Sequence, residues 1–113
     1  MDDNGMNLFA AYRIDVNIIK ILDKARGFIR SLDEKDRAKI AAAISTLASG
    51  DFQSVAVKPL RGPIRELIVK SYRIVFFNKK KTLWFVSGFR KKTRKTPPQE
   101  IKNAQKLFKI LDQ

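Results

Sequence analysis

Two residue types that often carry chemistry are missing from the chain. There is no cysteine and no histidine among its 113 residues. The lack of cysteine excludes disulfides, thiolate metal sites and cysteine nucleophiles, and it is typical of proteins kept in a reducing cytoplasm. The lack of histidine removes the commonest acid/base group near neutral pH and the commonest metal ligand. We therefore expect no metal site.

Export signals and long apolar runs are missing as well. The N-terminal sequence MDDNGMN is acidic where a secretory signal is basic, and no apolar run approaches the roughly 18 residues that span a bilayer. We expect a cytoplasmic protein with no membrane partner. The chain is 44% apolar and has eight Phe, enough for one modest core. We predict a single domain over residues 1–113 with a disordered polar leader at residues 1–7.

Acidic residues are scarce in one half of the chain. Residues 1–57 contain eight Lys/Arg and eight Asp/Glu, whereas residues 58–113 contain sixteen and three, so the whole net charge of +13 lies in the second half. Such a segregated excess favours a polyanionic partner, either nucleic acid or an acidic protein. The alternative is that the surplus lysines only keep the protein soluble.

The first half of the chain has the periodicity of helices. A short strand at FAAYRIDV, residues 9–16, is followed by apolar residues at three- and four-residue spacing from Ile18 to Ile29, which predict a first helix. The stretch SLDEKDRAKIAAAISTLASG predicts a second helix, with Ser31 or Asp33 as its cap and Gly50 at its end.

The second half changes to the pattern of strands. Val, Ile and aromatic residues between turn signals predict four strands, near residues 55–60, 64–70, 72–78 and 82–89. The turn NKKK should join the last two as an antiparallel hairpin and is interpreted as a solvated turn.

A last helix is predicted at residues 97–111. Thr96 is its expected N-cap and Pro97 its first residue. Its apolar stripe of Ile101, Leu107, Phe108 and Leu111 should face the sheet. The predicted fold is therefore α+β, with two N-terminal helices, a mainly antiparallel sheet of about four strands and a C-terminal helix.

Five cations fall within six positions at the junction of the last strand and the last helix. Loops at such junctions often carry function, and a helix N-terminus adds backbone donors for phosphate. Arg61, Arg65 and other cations lie along the strands. We predict an RNA-binding surface made of the following cations: Lys58, Arg61, Arg65, Arg90, Arg94 and Lys95.

Arg73 is the strand cation that we expect to act directly on a phosphate. Strand alternation places it on one face with Val75 and Phe77, and an Arg on a partly apolar face is a better candidate than one on a loop. The alternative role is an ion pair with one of the few acids. Glycine-rich phosphate loops, dinucleotide fingerprints and nucleophile elbows are absent from the sequence, so we expect no nucleotide cofactor and no other cofactor.

Two stretches resemble a known family. They are KPLRGPIRELIVKSYRIVFF and FVSGFRKKTRKTPPQEIKNA, which cover about a third of the chain and resemble the RelE-like toxins of bacterial toxin–antitoxin modules, in particular their phage-derived HigB-type branch. The residues that match the patterns of that branch are Lys58, Leu60, Glu66, Leu67, Tyr72, Arg73, Ile74, Gly88, Phe89, Lys91, Lys92, Lys95, Thr96, Pro97, Glu100, Ile101 and Ala104.

The resemblance implies an endoribonuclease that cuts messenger RNA on the ribosome and a cognate antitoxin that holds it inactive. Such enzymes use Arg and Lys, sometimes with a Tyr, on the ribose 2′-hydroxyl and the scissile phosphate, without a metal. Arg73 carries over as a phosphate-stabilising residue, and Lys91 as a basic residue after the last strand. The chain departs from the pattern at Ile68, where many members have Arg.

The proton acceptor stays open at this point. A lysine can accept the proton if neighbouring cations lower its pKa, which favours Lys91 and Lys92 in the crowded run. Tyr72 is a further candidate. The same basic residues could bind RNA or DNA without cutting it, or serve an acidic protein partner. The sequence does not separate these three functions, nor does it give a base preference or the identity of an antitoxin.

Overall fold

The computed structural model describes residues 17–111. Its elements follow in the order β1 (Ile18–Ile21), α1 (Asp23–Arg30), α2 (Glu34–Ala48), β2 (Ala56–Arg61), β3 (Ile64–Val69), β4 (Tyr72–Lys79), β5 (Thr82–Arg90) and α3 (Pro98–Ile110). The strands form one sheet in the order β1-β5-β4-β3-β2. The predicted leader at residues 1–7 and the predicted strand at residues 9–16 lie outside the described residues.

The four predicted strands are confirmed as β2 to β5. Each begins and ends within one residue of its predicted bounds, and all three pairs between neighbours are antiparallel. The predicted hairpin joins β4 to β5, and its turn residues Lys80 and Lys81 have φ angles of 52° and 63°. Alternating apolar residues and clear turn signals made this half of the chain predictable.

The first predicted helix is wrong at its start. Residues Ile18 to Ile21 form a strand that pairs in parallel with β5, and the helix begins only at Asp23. β-branched isoleucines fit a strand well, and the open edge of β5 offers hydrogen bonds that a helix here would forgo. The Leu22 amide continues this pairing by donating to the Phe85 carbonyl over 2.9 Å. Tertiary pairing therefore overrides a spacing that also fits a helix.

The second predicted helix is confirmed as α2. The Asp33 carboxylate accepts from the Asp36 amide over 2.8 Å, which is the predicted N-cap interaction. Gly50 follows the helix with a φ of 91°, a left-handed conformation that suits glycine.

The sheet buries a separate core on each face. On the face covered by α1 and α2, here called the α1/α2 face, the buried strand residues are Leu67, Tyr72, Ile74, Phe76, Leu83 and Phe85. On the face covered by α3, here called the α3 face, they are Ile64, Val75, Phe77 and Val86. Strand alternation sorts these side chains, because successive residues point to opposite faces.

Helix α3 packs its predicted stripe on the α3 face, with one exception. Leu107, Phe108 and Leu111 contact that core, and the Phe108 ring meets Phe77 edge-on with centroids 5.0 Å apart. Ile101 instead lines a groove beside the start of the helix. The predicted N-cap is also wrong, because Pro97 occupies that position and Thr96 turns its hydroxyl into the sheet.

Candidate nucleic-acid interface

A basic groove runs between β2 and the start of α3 on the α3 face. It encloses about 410 Å³ and is lined by Lys58, Pro59, Leu60, Arg61, Lys95, Thr96, Pro98, Ile101 and Lys102. Four of these residues are cations, and none of the described lining residues is acidic. Leu60, Ile101 and the prolines give the groove an apolar floor beside its charged rim. A groove of this composition suits a single nucleic-acid strand, whose phosphates need cations and whose bases need apolar contacts.

A buried carboxylate lies next to the groove. Glu66 in β3 is completely buried, and both of its carboxylate oxygens lie 3.0 Å from the Thr96 hydroxyl, which donates to them. The Arg73 Nε lies 3.6 Å from the same carboxylate. We call these three residues the Glu66 cluster. Thr96 belongs to both the cluster and the groove, so the two are contiguous.

The guanidinium of Arg73 is held mainly by the protein itself. Its Nη1 donates to the carbonyls of Lys70 and Tyr72, each over 3.0 Å. Its side chain is 15% exposed, and its buried Nε makes no hydrogen bond. No hydrogen bond from Nη2 reaches another described residue. The predicted alternative role of Arg73, an ion pair with an acid, is therefore present.

The predicted run of cations between β5 and α3 divides along its length. Lys91 is half-buried and extends the β4–β5 ladder, since its amide donates to the Ser71 carbonyl over 2.8 Å. Lys92 and Arg94 are exposed on the connection itself. Lys95 alone among the run lines the basic groove. The predicted phosphate site is thus spread over the connection rather than gathered at one point.

Two predicted RNA-binding residues lie on the opposite face. Arg65 sits with its guanidinium 5.9 Å from the centre of the Phe52 ring. Arg90 lies 4.8 Å above the Tyr72 ring. Both rings pack with the α1/α2 core. The structure therefore brings Lys58, Arg61 and Lys95 together in the groove and separates them from Arg65 and Arg90.

Tyr72, the reserve base, also lies on the α1/α2 face. Its hydroxyl donates to the Asp36 carboxylate over 2.5 Å, and the Lys70 ammonium donates to the same carboxylate over 2.8 Å. These two hydrogen bonds, that of Lys70 first, hold the pKa of Asp36 below its ordinary value, and Asp36 in turn raises the pKa of Lys70. We call these residues the Asp36 cluster. The side chains of Tyr72 and Arg73 therefore lie on opposite faces of the sheet.

Among residues 17–111, no group of three or more acidic residues is placed to hold a metal ion. No helix there is long and apolar enough to cross a membrane.

Sequence comparison assigns a family to this arrangement. Residues 27–109 match the model of a family described as Phage derived protein Gp49-like, which spans the chain from within α1 to the last turn of α3. The chain belongs to this Gp49-like family. A search of curated proteins by sequence finds no match.

Solved structures show which fold the Gp49-like chain has. The archaeal RelE–RelB complex from Pyrococcus horikoshii OT3 gives a TM-score of 0.58 at 13% identity, covering 66% of this chain and 94% of that one. The RelB–RelE complex from Methanococcus jannaschii gives 0.55 at 13% identity, with 74% and 94% covered. The isolated E. coli RelE toxin gives 0.54 at 17% identity, with 78% and 98% covered. The predicted RelE-like α+β fold is confirmed.

Two residues of the Gp49-like site were missed as site residues in the sequence. Glu66 and Thr96 both fall in the stretches that resemble RelE-like toxins, yet neither was expected to contact Arg73. Two features of the sequence could have indicated them. Glu66 is the one acid in the cation-rich stretch 58–73, and Thr96 precedes two prolines, although a Thr in that position fits an N-cap equally well.

Proposed function

We propose that this Gp49-like protein is the toxin of a type II toxin–antitoxin module, and that it is a ribosome-dependent endoribonuclease that cuts messenger RNA. The observation that carries the proposal is the position of Thr96, which lines the basic groove and also contacts the carboxylate beside Arg73. Thr96 and Glu66 connect the groove to Arg73, whose Nη2 makes no hydrogen bond with the described residues. We assign this nitrogen to a phosphate of a strand bound in the groove. The RelE fold supports the same reading.

The proposed reaction uses the nucleophile that RNA itself supplies. The 2′-oxygen attacks the neighbouring phosphorus, and the bond from phosphorus to the 5′-oxygen breaks. The upstream fragment ends in a 2′,3′-cyclic phosphate, and the 5′-oxygen leaves with the downstream fragment and takes a proton from water to become a 5′-hydroxyl. Charge develops on the phosphoryl oxygens, where Arg73 Nη2 would stabilise it. Lys91 or Lys92 would take the proton from the 2′-hydroxyl. A chain without histidine or cysteine has few other means of acid/base catalysis.

Binding of the strand is assigned to the groove. Lys58, Arg61, Lys95 and Lys102 would neutralise phosphates on either side of the cut, and Arg94 would extend this contact along the connection. Tyr72 has no part in this mechanism, because its hydroxyl is donated to Asp36 on the other face. Arg65 and Arg90 are left out for the same reason of placement.

The proposed partners follow from the activity. A toxin of this kind acts on messenger RNA at the ribosome, hence in the cytoplasm, and needs a cognate antitoxin. Two of the similar structures are complexes of RelE with RelB, which supports a protein partner here. We expect the antitoxin to cover the basic groove or to displace α3.

Induced expression tests the proposal. Wild-type protein should arrest growth, Arg73→Ala should not, and Lys39→Ala, an exposed change on α2, should arrest growth as the wild type does. Harmless expression of folded wild-type protein would contradict the proposal. Protein that binds RNA but leaves it intact would favour the non-catalytic binding module instead.

A further inference from the structure

The Glu66 cluster joins three separate parts of the chain on the α3 face. Glu66 comes from β3, Arg73 from β4 and Thr96 from the connection just before α3. In the sheet register Glu66 pairs with Lys58 of β2 and with Val75 of β4, and Val75 belongs to the apolar core of the α3 face. A fully buried carboxylate in that environment needs a reason, because an apolar residue of similar size is often at least as stabilising as a buried ion pair.

The geometry around Arg73 supplies the reason. The Glu66 carboxylate lies 3.6 Å from Nε, and Nη1 donates to the backbone carbonyls of Lys70 and Tyr72. A guanidinium is a rigid plane, so fixing these two nitrogens fixes the direction of Nη2 as well. The 3.6 Å separation and the lack of a hydrogen bond at Nε show that Glu66 acts here through its charge.

Thr96 connects this arrangement to the groove. Its hydroxyl donates to both oxygens of Glu66, while the residue itself forms part of the groove wall. The start of α3 is thereby tied to the carboxylate that faces Arg73. A shift of one part should move the other.

We propose that Glu66 is a positioning residue for Arg73, and that Thr96 anchors Glu66 and the groove wall in a single unit. The proposal rests on the proposed function, since it assigns Arg73 Nη2 to the RNA phosphate. Glu66 itself touches no substrate. Its charge aims the guanidinium, and Thr96 holds that charge in place.

A double-mutant cycle separates positioning from a merely structural role. Glu66→Gln keeps the size of the side chain and an oxygen that Thr96 can donate to, but removes the charge. Measured on messenger RNA cut in a purified translation mixture, it should lower kcat by about 10- to 100-fold with little change in KM. In an Arg73→Ala background the same change should lower kcat by less than about threefold, because the group it acts through is gone. Equal losses in both backgrounds, or no loss in the first, would overturn the proposal.

Three controls test the effect of removing a charge, the folding of the Arg73→Ala background and the role of the Thr96 hydroxyl. Glu34→Gln makes the same charge change on the exposed start of α2 and should leave kcat unchanged. If Arg73→Ala does not fold, Arg73→Lys provides the second background, since a lysine keeps the charge but not the planar geometry. Thr96→Val should lower the rate, and Thr96→Ser, which keeps the donating hydroxyl, should restore most of what Thr96→Val loses. A Thr96→Val enzyme with a wild-type rate would refute the anchoring role.

A binding measurement makes the result independent of catalysis. If the wild type cuts no RNA at all, the proposed function fails, and the cycle is then read from affinity for a short single-stranded RNA. Glu66→Gln should weaken that affinity in the wild-type background and leave it unchanged in Arg73→Ala. Equal effects in the two backgrounds would overturn the positioning role on this readout as well.

Discussion

Each face of the sheet buries one carboxylate against a hydroxyl and a cation, but the two clusters are completed to different degrees. On the α1/α2 face, Asp36 receives direct hydrogen bonds from Tyr72 and Lys70 at 2.5 and 2.8 Å. On the α3 face, Glu66 receives one from Thr96, while the Arg73 Nε stays at 3.6 Å and unbonded. Both partners of Asp36 are within hydrogen-bond distance, whereas the Nε of Arg73 has no hydrogen bond.

We interpret this difference between the two clusters as a division of roles, one stabilising the fold and the other taking part in the proposed reaction. A carboxylate whose partners are all close holds α2 to β4 and has nothing left for a ligand, as is usual for a structural ion pair. The Glu66 carboxylate has a cation, Arg73, with donors that make no hydrogen bond, and we propose that these donors serve a ligand. We therefore assign the Asp36 cluster to folding and the Glu66 cluster to the proposed reaction.

The largest expected effect comes from removing Arg73. Arg73→Ala should lower the rate of messenger RNA cleavage by about 10²-fold or more, the scale of losing one transition-state donor. Lys70→Ala removes the corresponding cation of the Asp36 cluster and should lower stability while leaving the rate per folded molecule near that of the wild type. Equal loss of rate in both variants would break the comparison between the faces.

A smaller effect concerns salt. With about 0.7 counterions released per phosphate on a single strand, four groove cations give a slope of about −3 for log affinity against log salt. Lys102→Ala should make that slope shallower by about 0.7, and Lys39→Ala on α2 should not change it. The slope is read from binding of a fluorescent single-stranded RNA over a salt series, and an affinity independent of salt would exclude an electrostatic groove.

The fold in the second half was predictable because strand alternation and turn residues are local signals. The faces of β3 and β4 follow directly from them, including the placement of Arg73 with Val75 and Phe77. A bulge at Val86 shifts the alternation of β5, so that Phe89 packs on the α3 face together with Trp84. The strand β1 was not predictable in the same way, since Ile18 and Ile21 fit a helical stripe and only pairing with β5 decides between the two structures.

The sequence predicts which residue types form the candidate site better than it predicts which of those residues meet. Sequence periodicity sorts residues within one element, but it does not say which residues of different elements meet. Glu66 and Thr96 are 30 positions apart, and their contact depends on where the chain re-enters the α3 face. For the same reason Arg65 and Arg90 were predicted to bind RNA together with the groove cations although they lie on the other face. Tyr72 differs, because alternation within the predicted strand at residues 72–78 already places it opposite Arg73.

The Asp36 cluster predicts a pH dependence of stability. The pKa of Asp36 is lowered by folding, so its contribution is present above the ordinary value of 3.8 and is lost as pH falls through the lower folded-state value. Asp36→Asn should therefore reduce the free energy of unfolding near neutral pH, and the difference from wild type should shrink in acid. Urea unfolding measures this, with the exposed Asp23→Asn as control. A difference that grows in acid would refute the sign.

The smallest expected effect compares two cations on adjacent strands. Lys58 lines the basic groove, whereas Arg65 lies against Phe52 on the other face. Lys58→Ala should weaken binding of single-stranded RNA by several-fold, as expected for one phosphate contact, and Arg65→Ala should change it by less than about twofold. Fluorescence anisotropy at low salt resolves the two. A larger effect of Arg65→Ala would place the RNA on the α1/α2 face.

We propose that RNA is cut on the α3 face by attack of its own 2′-oxygen. The direct measurement compares a messenger RNA with the same RNA carrying a 2′-deoxy nucleotide at the cut site, each incubated with ribosomes and protein, followed by analysis of the fragment ends. The account predicts cleavage of the first to a 2′,3′-cyclic or 3′-phosphate and no cleavage of the second. Cleavage of the 2′-deoxy substrate at the same position would contradict it.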